Sequence, residues 1–388
     1  MLGVGILSIP YILKTNGWVL GTSLMMIVML IALTTNKMIA RCMKEYPQIL
    51  SFPSIAEVSF GKQAGQFVYT VFILECFASA CAYIILAGNT LNAIFPAISS
   101  DIFKIIAWIV IIPTVWPTDY SYLAYASILG LTGTSFMFIV IFMCGFLATS
   151  SPGSLLKPAE TKLFPESLAD IPLTFGPIMF CFAGHTVTPT IILDMKQPKL
   201  FNRMITSTYA VVTTVFLSMG IAGHFMFGQD TESEFTLNLA FQNEYPRLLI
   251  KVCLGLIVIN PLTKFALRLK PVFQEIETLL IGDPLKPKRG IRPESLSYYT
   301  MRTILRTCIS LGTLVVGINF KRFMDLQAII GALFSFLVCA IVPSVCYLKL
   351  FAKTMTKVEK MLTITLILIS TAMSSFGTFC VIKDMANA

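Results

Sequence analysis

Apolar residues run along this chain in long blocks, with the polar positions gathered in short clusters between them. Reading each block as a membrane helix predicts eleven spans. They lie at about 1–13, 19–42, 66–95, 102–116, 122–148, 172–198, 204–227, 248–267, 299–318, 326–350 and 361–382. The first is short. At ~1.5 Å per residue, Met1–Leu13 rises only ~20 Å against a hydrocarbon core of ~30 Å. The sixth, PLTFGPIMFCFAGHTVTPTIILDMKQP, is long enough to cross but is interrupted by Gly176, Pro177, Gly184 and Pro189, with His185 near its middle. Broken backbone at membrane depth must be buried in protein or line a cavity. A Gly/Pro-interrupted span is also the best sequence pointer to a carrier's binding site.

Composition agrees with the pattern. Of 388 residues, 56% are hydrophobic and 13% charged, where a soluble domain carries roughly 25% charge. The chain reads as an all-α polytopic membrane protein. Its net charge of +9 does not point to nucleic acid, because the basic residues follow topology. If the first span starts in the cytoplasm, most of the 29 Lys and Arg fall on that side. They include Lys37, Arg41, Lys44, Lys62, Lys196, Lys199, Arg203, the stretch from Lys264 to Arg306, and Lys349 to Lys360. The opposite connection, Gln229–Tyr245, holds Asp230, Glu232, Glu234 and Glu244 with no cation. This is the positive-inside pattern. Gly282–Ser297, Pro-rich and basic, reads as a cytoplasmic loop, and Lys44–Lys62 as a connection holding a short amphipathic segment.

The ten cysteines sit in or beside apolar runs without a CxxC pair, and read as small buried hydrophobes. With two histidines there is no zinc cluster to assemble. No phosphate-cradling glycine loop and no hydrolase set is present, so the sequence implies neither enzyme activity, metal nor cofactor.

The first span carries Gly3 and Gly5 with Pro10, and the sixth carries Gly176, Gly184 and Pro189. Two broken spans, five apart and oppositely directed, match an inverted repeat. Repeat one would cover about 1–148 and repeat two about 172–350, with an extra helix at about 361–382, all in one transmembrane domain. Half-helix N-termini favour a carboxylate and free carbonyls favour an ammonium, so a break suits a zwitterion. Glycine can equally serve helix packing. His185 suits a proton relay, with a structural hydrogen bond as the alternative. Glu75, within the third span, needs a partner, a proton or water, and is the other proton candidate. Asn260, Pro261 and Thr263 in span eight form either a gate or a kink.

With these residues in view, the chain resembles the amino acid/auxin permease family, in its branch of vacuolar and vesicular inhibitory amino acid transporters. The likeness rests on Gly3–Tyr11 with Gly17-Trp18, on Phe180–His185 with Pro189 and Met195–Pro198, on Met226–Gly228 with Asn238-Leu239, and on Ile259–Leu267. It implies a LeuT-like fold of inverted five-helix repeats and amino acid transport coupled to protons, in a vacuolar, other endomembrane or plasma membrane. It also implies substrate between the broken spans at Gly3, Gly5, Ser8, Phe182, Gly184 and His185. The resemblance does not choose between Glu75 and His185 as proton carrier. Family members have a half-helix before the first break, so span one is expected to be truncated here. The alternative reading is an amino acid sensor or an inactive truncated relative.

Overall fold

A computed structural model describes residues 3–117, 121–280, 282–283, 286–287, 296–320 and 322–387. A five-residue 3-10 turn, Val4–Ser8, leads into α1 (Ile9–Glu45), with Pro10 in its first turn, where a missing N–H costs nothing. One residue inside α1 is non-helical: Gly17, at φ +70° and ψ 175°. This is a left-handed backbone that side-chain-bearing residues avoid. It divides α1 into two arms, so spans one and two meet at a single glycine rather than at a loop.

The short α2 (Phe52–Phe60) follows, with Ser51 and Ser54 capping each other's backbone and Gly61 ending it at φ +92°. It fulfils the amphipathic segment read from the sequence. Then come α3 (Lys62–Ile94), α4 (Ser100–Val115) and α5 (Ser121–Leu147). Span six is two half-helices, α6 (Phe175–Phe182) and α7 (Thr188–Asp194). Span seven is α8 (Phe201–Phe227), followed by the short α9 (Phe235–Phe241), and span eight is α10 (Arg247–Leu280), continuous through Pro261 and Pro271. Span nine is α11 (Leu296–Asn319). Span ten begins as α12 (Phe323–Ile329), widens into π-helical turns over Ile330–Ser335 and Leu337–Ile341, and finishes as α13 (Val342–Leu350). The last span is α14 (Lys357–Asn387). The basic loop read at Gly282–Ser297 lies mostly outside the described residues, which there hold a two-residue strand pair, Gly282–Asp283 against Lys286–Pro287.

Among the described residues, eight helical stretches are long and apolar enough to cross a membrane. Counting the arms of α1 separately and adding α4 and α5 gives the eleven passages expected. Most cysteines are buried and free, as expected. Cys308 is exposed on α11 and Cys380 half-buried on α14, because an apolar run alone does not say which helix face turns outward.

The chain divides into two units. One comprises Met1–Glu75, Ala148–Phe235 and Gln327–Ala388, and the other Cys76–Leu147 and Thr236–Leu326. The first unit holds both broken spans, with spans two, seven and eleven and most of span ten. Its long connection before span six is pinned by backbone hydrogen bonds. Trp18 and Val19 donate to the carbonyls of Lys162 and Leu163, and Gly153 and Ala159 donate to those of Met226 and Phe225. The second unit holds α4, α5, α10, α11 and most of α3. A buried ion network anchors it. Glu277 accepts from Arg306 at 2.5 Å and from Arg302 at 2.9 Å, and Arg306 also donates to the carbonyls of Val115, Trp116 and Pro117 at the end of α4. Arg306 thereby supplies donors at a helix end, where intrahelical N–H groups run out.

Candidate functional site at the broken helices

Span six breaks because α6 stops at Phe182. Ala183 is extended (ψ 136°), and Gly184 follows at φ 177° and ψ 7°. A single 3-10 turn at His185–Val187 restarts the helix, with Pro189 in the first turn of α7. In span one, the 3-10 turn after Gly3 replaces the α-helical start. The two breaks touch. A Cβ on Gly5 would lie 2.8 Å from the Cys181 sulfur, and that thiol donates to the Gly5 carbonyl at 3.3 Å. Ser8 donates its hydroxyl within 2.9 Å of both the Gly5 carbonyl and Gln327 Oε1. Gln327, at the start of span ten, is fully buried, and its amide nitrogen has no hydrogen-bond partner. Asn16 joins the same two spans further along. Its amide donates to the Ile12 carbonyl and to Thr174, and its Oδ1 is buried without a partner.

His185 is fully buried and held by span two. Its Nε2 lies 2.8 Å from Thr35 Oγ1, 3.0 Å from the Ala32 carbonyl and 2.9 Å from Asn36 Nδ2. The surrounding bonds decide where the ring proton sits. The Thr35 hydroxyl donates to the Ile31 carbonyl at 2.9 Å. Asn36 Oδ1 accepts from Thr188 at 2.5 Å, which fixes the amide's orientation, and its two N–H groups reach the Ala32 carbonyl and the Tyr209 oxygen. Tyr209 in turn donates to the Phe182 carbonyl, freed by the break, at 3.1 Å. The Ala32 carbonyl can only accept, so it pairs with Nε2 in the tautomer that carries its proton there. A neutral ring then presents Nδ1 as a bare lone pair, and Nδ1 is buried with no partner. Phe182 itself packs its ring on Tyr209 and edge-on to Phe216.

Of the residues singled out from the sequence, Gly5 meets Cys181 at the paired breaks and Ser8 bonds the Gly5 carbonyl and Gln327, while Phe182, Gly184 and His185 lie together in span six. Gly3 caps the 3-10 turn. Glu75 is buried in α3 and accepts from Ser335, in the π-helical part of span ten, at 3.1 Å. Asn260, Pro261 and Thr263 belong to the second unit. There Asn260 donates to the Gly130 carbonyl and to Thr134 of α5, and Thr263 donates back to the Asn260 carbonyl. Sequence reasoning missed Gln327, Thr35, Asn36 and Tyr209. The adjacent polar pair Thr35-Asn36 inside an apolar run was the one visible signal.

The sequence profile of the family described as transmembrane amino acid transporter protein matches residues 1–385. The chain belongs to this family. Amino acid transporter AVT1B of Arabidopsis thaliana is 28% identical over 97% of this chain and 67% of its own length. Amino acid transporter AVT1D of the same plant is 29% identical over 99% of this chain and 68% of its own. The fold has a solved counterpart in a Na+-coupled sialic acid symporter in a substrate-bound outward-open state, with a TM-score of 0.54 and 15% identity. The likeness covers 97% of this chain and 86% of that one. The fold is thus the LeuT-like one, five plus five spans with an added helix, and the family member is a membrane transporter, not an enzyme.

Proposed function

We propose that this amino acid transporter works by proton-coupled alternating access, holding its substrate at the paired breaks of spans one and six. The observation that carries the reading is the unspent hydrogen-bonding capacity gathered there: His185 Nδ1 and Gln327 Nε2, both buried beside unwound backbone. Buried polar groups are normally satisfied, so an exception asks for an explanation, and a bound substrate is one. A zwitterion fits that role. The N–H groups at the start of span one lack intrahelical acceptors and favour a carboxylate, which the Gln327 amide would also meet. The lone pair of Nδ1 and the carbonyl of Ala183, extended at the break, favour an ammonium. A substrate bridging the breaks would satisfy both sides at once and draw spans one and six together.

Glu75 and His185 remain the two groups able to carry the coupled proton. Glu75 is the better placed to change charge without disturbing the break, because His185 is committed through Nε2 to span two. The resemblance to vacuolar transporters supports an endomembrane location. The test is labelled amino acid uptake into proteoliposomes with and without an imposed pH gradient. Uptake that follows the gradient in the wild type and loses that dependence in Glu75→Gln supports the assignment. Gradient-dependent uptake in both Glu75→Gln and His185→Gln overturns it.

A further inference from the structure

The first unit contains a cavity that the transport reading does not use. It has a volume of about 1260 Å³, beyond the ~300–1,000 Å³ of pockets that take drug-sized ligands. Its walls are the last turns of α1, the end of α7 with the start of α8, Tyr347 of α13, and the first turns of α14. Those are the ends of spans two, six and ten and the beginnings of spans seven and eleven. All of them fall on the face to which the basic excess assigns the cytoplasm.

The lining has two chemistries. Met38, Ile192, Leu193, Phe201, Leu362 and Leu366 give an apolar wall, and Leu193 and Leu362 are themselves exposed. Lys37, Lys44 and Lys199 supply cations, and among the described residues none of the three has an ion-pair partner. Arg41 is already engaged. It donates to Glu359 at 2.6 Å and to Tyr347, and its guanidinium lies 4.8 Å from the centre of the Phe351 ring. That cluster ties span two to spans ten and eleven and braces one side of the cavity. Glu45 is the remaining acidic group in the lining, so three uncommitted cations stand against one uncommitted carboxylate.

We propose that this cavity is a binding site for an anionic phospholipid of the cytoplasmic leaflet. The phosphate-bearing headgroup sits among Lys37, Lys44 and Lys199, and an acyl chain lies along the wall formed by α7, α8 and α14. Unpaired lysines at the depth of lipid headgroups attract anionic lipid, and an elongated apolar wall beside them accommodates a chain that a soluble anion lacks. The site bridges α14, the helix beyond the two repeats, to spans two and six. Lipid bound there holds the added helix against spans two and six within the first unit.

The test reconstitutes the full chain in nanodiscs of phosphatidylcholine alone or doped with phosphatidylserine. Retained lipid is read by native mass spectrometry, and thermal stability by melting. Phosphatidylserine should be retained selectively and should raise the melting temperature. Replacing Lys37, Lys44 and Lys199 with Ala should weaken retention by roughly fivefold per lysine and abolish the shift, with melting in pure phosphatidylcholine unchanged. Lys383→Ala, at the other end of α14, should leave retention intact. Glycerophosphoserine, the headgroup without its chains, should produce no shift. Equal retention in the triple variant, or an equal shift from the free headgroup, would overturn the proposal. None of these readouts needs transport, so they stand apart from any failure of the substrate-site reading.

Discussion

The Cα of Gly331 lies so close to the carbonyl of Gly176 that a methyl group built on it would sit 1.8 Å from that oxygen. The contact is backbone on backbone, between the first half of span six and the first π-helical stretch of span ten. No side chain can move aside to relieve it. Gly331→Ala should therefore separate two spans of the first unit, costing at least ~1–3 kcal/mol as overpacking does. A melting curve of the purified variant in detergent measures this. Gly255, where an added Cβ meets nothing within 4 Å, makes the control, and Gly255→Ala should melt like the wild type.

His185 can be divided into its two nitrogens. Gln in its place keeps an N–H donor near the Ala32 carbonyl and removes the Nδ1 lone pair. His185→Gln should keep the fold and lower uptake about tenfold or more, since losing a partner for a buried charged group is worth ~1.5–3 kcal/mol. His185→Ala should lose uptake and stability together, because Thr35 and Asn36 then line a void. Equal uptake by His185→Gln and the wild type would remove Nδ1 from the substrate site.

Gln327 carries a parallel expectation. Gln327→Leu preserves bulk and deletes the amide, so Ser8 keeps its bond to the Gly5 carbonyl. Apparent affinity for amino acid should fall while the melting temperature holds or rises, because a buried unsatisfied group has been removed. Concentration-dependent uptake separates the two effects.

The ion network of the second unit makes a prediction about stability alone. Glu277→Ala strands Arg306, which is 1% exposed, and should cost ~3–5 kcal/mol. Replacing both partners with apolar residues of similar volume should recover much of that loss. Melting of the single and double variants decides whether the network is needed for stability or only for pairing.

The spans were legible because a bilayer demands long apolar runs, and the break in span six was legible because glycine and proline mark it. The turn at Gly17 was less so. The sequence suggested a gap between spans one and two, whereas helix continues to Asn16 and resumes at Trp18, since one left-handed glycine suffices to redirect it. The π-helical turns of span ten left no mark, because Ile330–Ser335 is composed like any apolar helix. The partners of His185 lie about 150 positions earlier in the chain, and no local pattern announces a contact of that range. Ser8 was read as substrate-facing, while nothing in the sequence around Gln327 announces that it is buried beside Ser8.

The single-residue turn at Gly17 also bears on how the carrier can move. Span one continues into span two with no slack between them. Span two grips span six through Ala32, Thr35 and Asn36. A tilt of the first span is thus passed on as leverage to the second and, through His185, to the sixth. On the proposed reading, opening and closing at the paired breaks would carry three spans together, and loosening the clasp at His185 would uncouple the first span from the sixth.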